Sequence, residues 1–397
     1  MYFDSQLEKE CCGCGACADA CPKNCISLEV GRNNFLFPTI NLDMCIECNR
    51  CREVCPINNI VELKAKHEHS AWFVMASDSA YRKASASGGA FGKIAEAAAS
   101  ENRDGIRIWG AAFDDDFKVH HICVESVDKL TAIRNSKYLQ SVTQDVFKQV
   151  AEQLREGLFV VFSGTPCQIA ALRCYLSLFK NIDTDNLLTT DLVCHGVPSQ
   201  HMFDMYLAEA EQVCGSKLCQ VEFRFKETQP GEASNSRRMR LSFADGSNKI
   251  ETRESGAYLK MYHGGFGYRE SCYNCPYARA DRVGDLTLKD AWSVHEYYPE
   301  YNVHEGVSLV LSNSEQGDVF IKILQARDDI IVLPVDYDEF ISKVKGGALA
   351  NPTPCPDRNR EFMDCAEQIG FTTAVERYCS LSFTQRAKRF VKRVLRQ

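Results

Sequence analysis

Two stretches of this chain follow one rule. Cys11, Cys14, Cys17 and Cys21 recur as Cys45, Cys48, Cys51 and Cys55, each displaced by 34 residues, and Asn24 and Ile26 recur as Asn58 and Ile60. Each copy reads C-x2-C-x2-C-x3-C-P, the run that wraps cubane four-iron, four-sulfur clusters and whose fourth cysteine ligates the other cluster. Three thiolates from one tight loop can meet three corners of a cube; the fourth corner faces away and is reached from the sister copy. The spacing therefore assigns Cys11, Cys14, Cys17 and Cys55 to one 4Fe-4S cluster and Cys45, Cys48, Cys51 and Cys21 to a second. Pro22 and Pro56 turn the chain away afterwards. Paired CxxC motifs also serve tetrahedral zinc, but zinc sites rarely carry this run of four twice over. Cys12 interrupts the small residues of the first loop and reads as a bystander.

Twenty-one cysteines in 397 residues, many only two or three positions apart, are too crowded for a disulfide framework. Metal is the better use for them. The first ten residues mix Asp4, Glu8 and Glu10 with Lys9 and have no basic start leading into an apolar core, so no secretory signal is expected. Thiols kept reduced in a cytoplasm follow. No apolar run approaches the ~18 to 20 residues of a membrane span. Forty-six Lys and Arg against 53 Asp and Glu leave a formal charge of −7, so no nucleic-acid partner is expected. Hydrophobic residues at 45% and charged residues at 25% exclude disordered and fibrous classes. Residues 1 to 60 hold five bases and eight acids, net −3, which suits an electron carrier.

The repeats define an α+β ferredoxin-like domain over 1–65, followed by a polar link. Over 71–345, apolar runs of strand length (Trp72 to Ala76, Ile106 to Phe113, Leu158 to Phe162, Leu187 to Val193, Val307 to Ser312) alternate with helical periodicities such as Val146, Val150, Leu154 and Ile169, Leu172, Leu176. This predicts a larger α/β domain with substantial parallel character. Val221 to Phe225, Met239 to Phe243 and Lys249 to Thr252 break the alternation and read as an antiparallel insertion with a tight hairpin at Asp245-Gly246. After the proline-rich Asn351 to Asp357, the remainder of 346–397 reads as a linker and a helical C-terminal tail. Thr384 to Gln397 carries Arg386, Lys388, Arg389, Lys392, Arg393 and Arg396 opposite Phe390, Val391, Val394 and Leu395, a basic amphipathic helix that either packs on the body or meets anionic lipid or an acidic partner.

In the larger domain, Ser85 to Gly89 (SASGG) lies between a strand and a helix, where backbone N–H groups could receive a phosphate; a turn that merely caps the helix is the commoner use. Phe159 to Arg173 runs strand, Gly164-Thr165-Pro166-Cys167, helix, with Pro166 in the tolerant first turn. Cys167 then sits at the positive end of a helix, which favours a thiolate. Cys194 and His195 follow another strand, and Cys272-x2-Cys275 adds a compact pair. Ligand sites of open α/β sheets lie at such strand ends. Cys167, Cys194, Cys272 and Cys275 are thus candidate ligands of a third cluster. Two plainer readings stand beside this one: a lone buried cysteine is usually a small hydrophobe, and Cys272 and Cys275 could join His195 around zinc. Cys12, Cys25, Cys123, Cys174, Cys214, Cys219, Cys355, Cys365 and Cys379 read as ordinary. His67, His69, His120 and His121 lack nearby ligands and read as solvated, Asp114 to Asp116 as an acidic turn, and Lys345 to Gly347 as a domain-closing turn.

Several strings closely resemble one family. They are SGG at Ser87 to Gly89, NSKYLQS at Asn135 to Ser141, FSGTPCQIAAL at Phe162 to Leu172, DLVCHGVPS at Asp191 to Ser199, FRFK at Phe223 to Lys226 and CYNCPYARADRVGDLTLKDAW at Cys272 to Trp292. The chain resembles the coenzyme F420 hydrogenase/dehydrogenase beta-subunit family, in particular its bacterial branch with an N-terminal double-cluster ferredoxin, often found among polysaccharide-synthesis genes. The resemblance covers roughly residues 1 to 345 and not the tail. It implies a flavin, FAD, beside a cluster in the larger domain. Ser87, Gly88 and Gly89 would face the flavin phosphates; Lys137, Tyr138, Gln140 and Ser141 would line its ring or ribityl chain, with Thr165 also binding the cofactor. Cys167, Cys194, Cys272 and Cys275 match the family's shared cysteines.

A flavin exchanges a hydride with a substrate yet passes single electrons to a cluster. The expected protein is an iron-sulfur flavoprotein oxidoreductase, a wire from a carrier such as a ferredoxin, through the clusters, to FAD and a small-molecule redox substrate. Lys137 could stabilise negative charge on a reduced ring and His195 could donate a proton, although a structural place beside Cys194 is the plainer role for His195. The alternative is a non-catalytic electron-relay subunit of a larger redox complex. A cytoplasmic location is expected, peripheral to the inner face of the membrane if the basic tail binds lipid.

Overall fold

In a computed structural model that describes residues 2–61, 68–102, 105–226, 238–343 and 347–379, the two cysteine runs take the same backbone path. Each ends in one helical turn, Ala16–Asp19 and Arg50–Glu53, entered through a left-handed residue, Gly15 (φ 73) and Asn49 (φ 59). A second left-handed position recurs at the same offset, Gly13 (φ 69) and Glu47 (φ 54). Between the runs, β1 (Ile26–Val30) and β2 (Leu36–Ile40) form an antiparallel hairpin with Ile26 opposite Ile40. This is the ferredoxin-like unit that the spacing predicts.

The larger domain is built on an eight-stranded sheet. Its strands are β3 (Ser70–Ala76), β4 (Ile106–Phe113), β5 (Val119–Val124), β6 (Phe159–Gly164), β7 (Leu187–Leu192), β11 (Leu286–Asp290), β12 (Ser308–Ser312) and β13 (Ile330–Val335), in the order β13-β3-β12-β11-β7-β6-β4-β5. The middle pairs β4/β6, β6/β7 and β7/β11 are parallel, and the flanking pairs are antiparallel. The parallel character expected from the alternation is therefore confined to the four central strands. β6 in particular begins as a continuous apolar run because helices cover both of its faces. Val160 and Phe162 of β6 pack on one side with Phe147, Ile169 and Leu172. Phe159 and Val161 pack on the other with Ile94, Phe320 and Leu324.

The insertion forms its own antiparallel sheet, β8 (Leu218–Phe225), β9 (Arg238–Phe243) and β10 (Asn248–Glu251), turned at Asp245 and Gly246, where Gly246 has φ 85. Its inner face joins a core containing Phe203, Tyr258, Phe362 and Phe371. Here the structure corrects the expected boundary at 346. Helices Asn359–Ile369 and Phe371–Tyr378, split at Gly370, bury Phe362, Met363, Ala366, Phe371, Ala374 and Val375 in that core and belong to the body of the larger domain. Residues 384–397, the expected basic helix, lie outside the described residues, as do His67, Lys345 and Gly346. Among the described residues no helix is long and apolar enough to cross a membrane.

The ferredoxin-like unit is bonded to the larger domain along a continuous seam. Asp19 accepts from the backbone N–H groups of Asp145 (2.8 Å) and Phe147 (3.1 Å) at the start of helix Val146–Arg155, and Tyr277 donates to Pro56 O (2.6 Å). A carboxylate at a helix N-terminus meets unsatisfied donors and a favourable dipole; burial nevertheless pushes Asp19 up to about 6.

Candidate functional site

The first cysteine run lies against the larger domain because its filler residues are small. A Cβ on Gly13 would come 2.5 Å from Gln140 Nε2 and 2.6 Å from Arg269 Nη1. Gln140 Nε2 donates to the carbonyls of Cys12 (3.0 Å) and Gly13 (3.3 Å), and Thr143 Oγ1 to that of Cys14 (2.7 Å). Arg269 is fully buried and donates from Nε to Cys11 O (2.7 Å) and from Nη2 to Leu36 O (2.8 Å) and Cys11 Sγ (3.4 Å). Its guanidinium also faces the rings of Phe35 and Phe37. No carboxylate among the described residues pairs with it. A buried cation lacking a counter-charge is costly, so an anionic, thiolate-ligated centre at Cys11 is what this position calls for. The Cys17 thiol is pushed up by burial and then by Cys11 and Cys55, which the crossed spacing groups with it, and by Cys51 of the other set.

A second group of thiols gathers in the larger domain. Cys167, Cys194, Cys272 and Cys275 line one cavity together with Cys12, Thr165, His195 and Tyr277. Burial and then Cys167 and Cys275 push Cys194 up to about 12. Burial and then Cys167 push Cys275 up to about 11. Cys272 is raised well above its usual range by burial and then by Cys194 and Cys167. The thiols of Cys194, Cys272 and Cys275 are thus each raised by burial and by neighbouring thiols of the same cavity, a donor set that could hold a cationic metal centre. Among the described residues, no group of three or more His, Cys, Asp or Glu side chains is drawn together tightly enough for a single metal ion. Thr165 aims Cys167 into the cavity: it forms a reciprocal cap with Gln168 at the start of helix Pro166–Leu176, and its Oγ1 lies 3.2 Å from Cys167 Sγ. Buried Asp191 holds the 272–285 segment beside β7, accepting from Arg282 Nη2 (3.1 Å) and Gly284 N (3.1 Å).

Across the wall formed by Thr165, Cys194, His195 and Gly196 opens a cleft of about 570 Å³. Ser87, Gly89, Lys137, Tyr138, Ser141, Thr165 and His195 all line it. Gly88 and Gln140 do not. Gly88 N donates to Ser308 Oγ (3.0 Å), and a Cβ there would meet Val74 O at 2.5 Å, so it serves backbone packing under the loop. Gln140 belongs to the seam. The lining carries Arg134, Lys137, Arg224, Arg253 and Lys289 against one acid, Asp290, which pairs with Arg224 at 2.7 Å. Arg134 Nε is buried with no hydrogen-bond partner. Burial pulls Lys137 down to about 7, while its Nζ donates to Ala132 O (2.9 Å). His195 is lowered by burial and then by Lys289. Such a cleft is built for an anion.

Several participants are not those the sequence singled out. His121 is buried rather than solvated: strand alternation turns His120 out to Asp114 (3.0 Å) and His121 into the cleft, hydrogen-bonded to Ser141 Oγ (2.7 Å) and Ser163 O (2.9 Å). Burial holds it down near 4. His69 stacks on Tyr337. Cys12 lies between the two groups of thiols, its side chain beside Cys14 on one side and Cys167 on the other. Its place inside an otherwise small-residue loop was the available signal. Arg269, three residues before Cys272, had none.

A paired-repeat ferredoxin unit seated on an α/β domain with a cysteine cavity defines the class of iron-sulfur redox proteins. Residues 10–59 match the 4Fe-4S dicluster domain, and residues 159–337 match the family described as the C terminus of the coenzyme F420 hydrogenase/dehydrogenase beta subunit. The chain is therefore an iron-sulfur redox protein with a dicluster domain at its N-terminus and, over residues 159–337, a region related to that beta subunit. Among solved structures, a chain of the F420-reducing NiFe hydrogenase complex from Methanosarcina barkeri, studied by xenon derivatization, is similar at TM-score 0.47 and 16% identity, covering 78% of this chain and 97% of that one. No curated protein matches the chain.

Proposed function

We propose that the chain is an iron-sulfur flavoprotein oxidoreductase that moves electrons between its N-terminal clusters and a small molecule held in the basic cleft. The observation that carries this is the shared wall: Thr165, Cys194, His195 and Gly196 border the cysteine cavity on one side and the cleft on the other. Cys167, Cys194, Cys272 and Cys275 would hold a third 4Fe-4S cluster, and FAD bound in the cleft would supply the exchange between hydride and single-electron chemistry. The first-turn amides after Gly89 and the Arg134 guanidinium suit its phosphates. Lys137, near neutrality by itself, gains a proton when negative charge enters the cleft and then stabilises that charge. His121, kept neutral by burial, orients Ser141 and closes the back of the cleft.

Reduced ferredoxin, too large for the cleft, provides the test. With anaerobic protein it is expected to bleach the flavin absorbance. The double variant Cys272→Ser/Cys275→Ser is expected to keep flavin and the N-terminal iron but to slow that bleaching at least tenfold. Absence of flavin, or an unchanged rate in the variant, overturns the proposal. Flavin reduction with no turnover of any acceptor would favour the relay subunit.

A further inference from the structure

The two cysteine runs share a spacing but not an environment. Between its cysteines the first run carries Cys12, Gly13, Gly15, Ala16, Ala18, Asp19 and Ala20, none of them exposed; the second carries Ile46, Glu47, Asn49, Arg50, Arg52 and Glu53, all exposed, and Val54, which is buried. Cys48 is the exposed cysteine among the eight. Around it Leu42, Met44 and Ile46 stand 78%, 52% and 56% open to solvent, an apolar patch within five residues. Asp43, Glu47 and Glu53 fringe the patch, and of the two local bases Arg52 is already engaged with Asp4. Contiguous exposed apolar groups with a charged fringe mark an interaction surface.

We propose that this loop, residues 41–53, is the electron port of the chain. Its partner is a one-electron carrier protein whose cofactor edge is ringed by apolar and basic side chains. The inner cluster, at Cys11, then links the port to the cysteine cavity through Cys12. Each encounter moves one electron across the contact, reducing one partner by one and oxidising the other by one, with no bond or proton change. The proposal rests on the cluster assignment given above.

The probe is a basic cytochrome c, with an exposed haem edge, reduced by the dithionite-treated full chain under anaerobic conditions. The triple variant Leu42→Gln/Met44→Gln/Ile46→Gln and the pair Asp43→Lys/Glu47→Lys are each expected to lower the second-order rate about tenfold or more, and added salt to lower the wild-type rate. Val213→Gln, which removes an 81% exposed apolar side chain elsewhere, is expected to leave the rate unchanged. Equal rates in patch variants and wild type, with iron content intact, overturn the port alone. Loss of a dimer in the variants with an unchanged rate also overturns it, because the patch would then serve a second copy. A wild-type protein without iron overturns the cluster assignment and the port with it.

Discussion

Arg269 is the residue whose chemistry is most tightly bound to the clusters. It puts a buried positive charge 3.4 Å from Cys11 Sγ. A positive charge there favours the more reduced, more negative state of whatever Cys11 ligates. A charge-assisted hydrogen bond is worth ~1.5–3 kcal/mol, and at ~59 mV per tenfold change for one electron its loss amounts to roughly 60–130 mV. Arg269→Gln is therefore expected to lower the potential of one cluster by on the order of 100 mV, read by anaerobic potentiometry with electron paramagnetic resonance. Lys137 offers a pH signature. Its value falls from 10.5 free to about 7 in the cleft, so its burial penalty is absent above pH 10.5, grows as pH falls, and is complete near pH 7. An anion in the cleft restores the charge, and binding takes up a proton between those limits. FAD is expected to bind about fivefold or more tightly at pH 7 than at pH 9, and Lys137→Met is expected to flatten that dependence in a fluorescence titration.

Among elements, the repeated loops give a paired comparison. Gly13 and Glu47 hold the same left-handed position, but only Gly13 is pressed against Gln140 and Arg269. Gly13→Ala is expected to cost about 2 kcal/mol or more and to lower Tm by several degrees, whereas Glu47→Ala on the solvent side stays within ~0.5 kcal/mol; differential scanning calorimetry of the holoprotein compares them. The capped turn at Thr165 is the second case. Thr165→Val removes the cap, costing ~1 kcal/mol, and frees Cys167, so a lower Tm is expected together with iron loss confined to the cysteine cavity. Elements were legible in the sequence where burial on both faces made the pattern continuous, as in β6 and β12. β13 was hidden by Pro334, which an edge strand tolerates. The paired histidines of β5 interrupt the pattern that would have marked it. The helices after residue 358 do carry helical periodicity, but the proline-rich stretch before them reads as the end of a domain.

For the whole molecule, the eight N-terminal cysteines were visible as spacing, because a dicluster domain demands short-range order along the chain, whereas Cys167, Cys194 and the Cys272/Cys275 pair were singled out by their places after strands and by family resemblance. What spacing could not carry is contact between distant segments. Asp19 on helix Val146–Arg155, Arg269 on Cys11 and Cys12 beside Cys167 join residues more than a hundred positions apart. These contacts pack the ferredoxin unit against the larger domain and put the first run inside and the second outside. The basic cleft is likewise assembled from segments distant in the chain, with Arg134 and Lys137 after β5, Arg224 in β8, Arg253 after β10 and Lys289 in β11, and its charge emerges only on folding.

Iron, sulfide and flavin analysis of anaerobically purified full-length protein tests the central claim most directly. At four irons per cluster, about twelve irons, as many sulfides and one FAD per chain are expected. About eight irons without flavin would leave only the dicluster domain, and zinc in place of iron would contradict the assignment of every cysteine to a cluster.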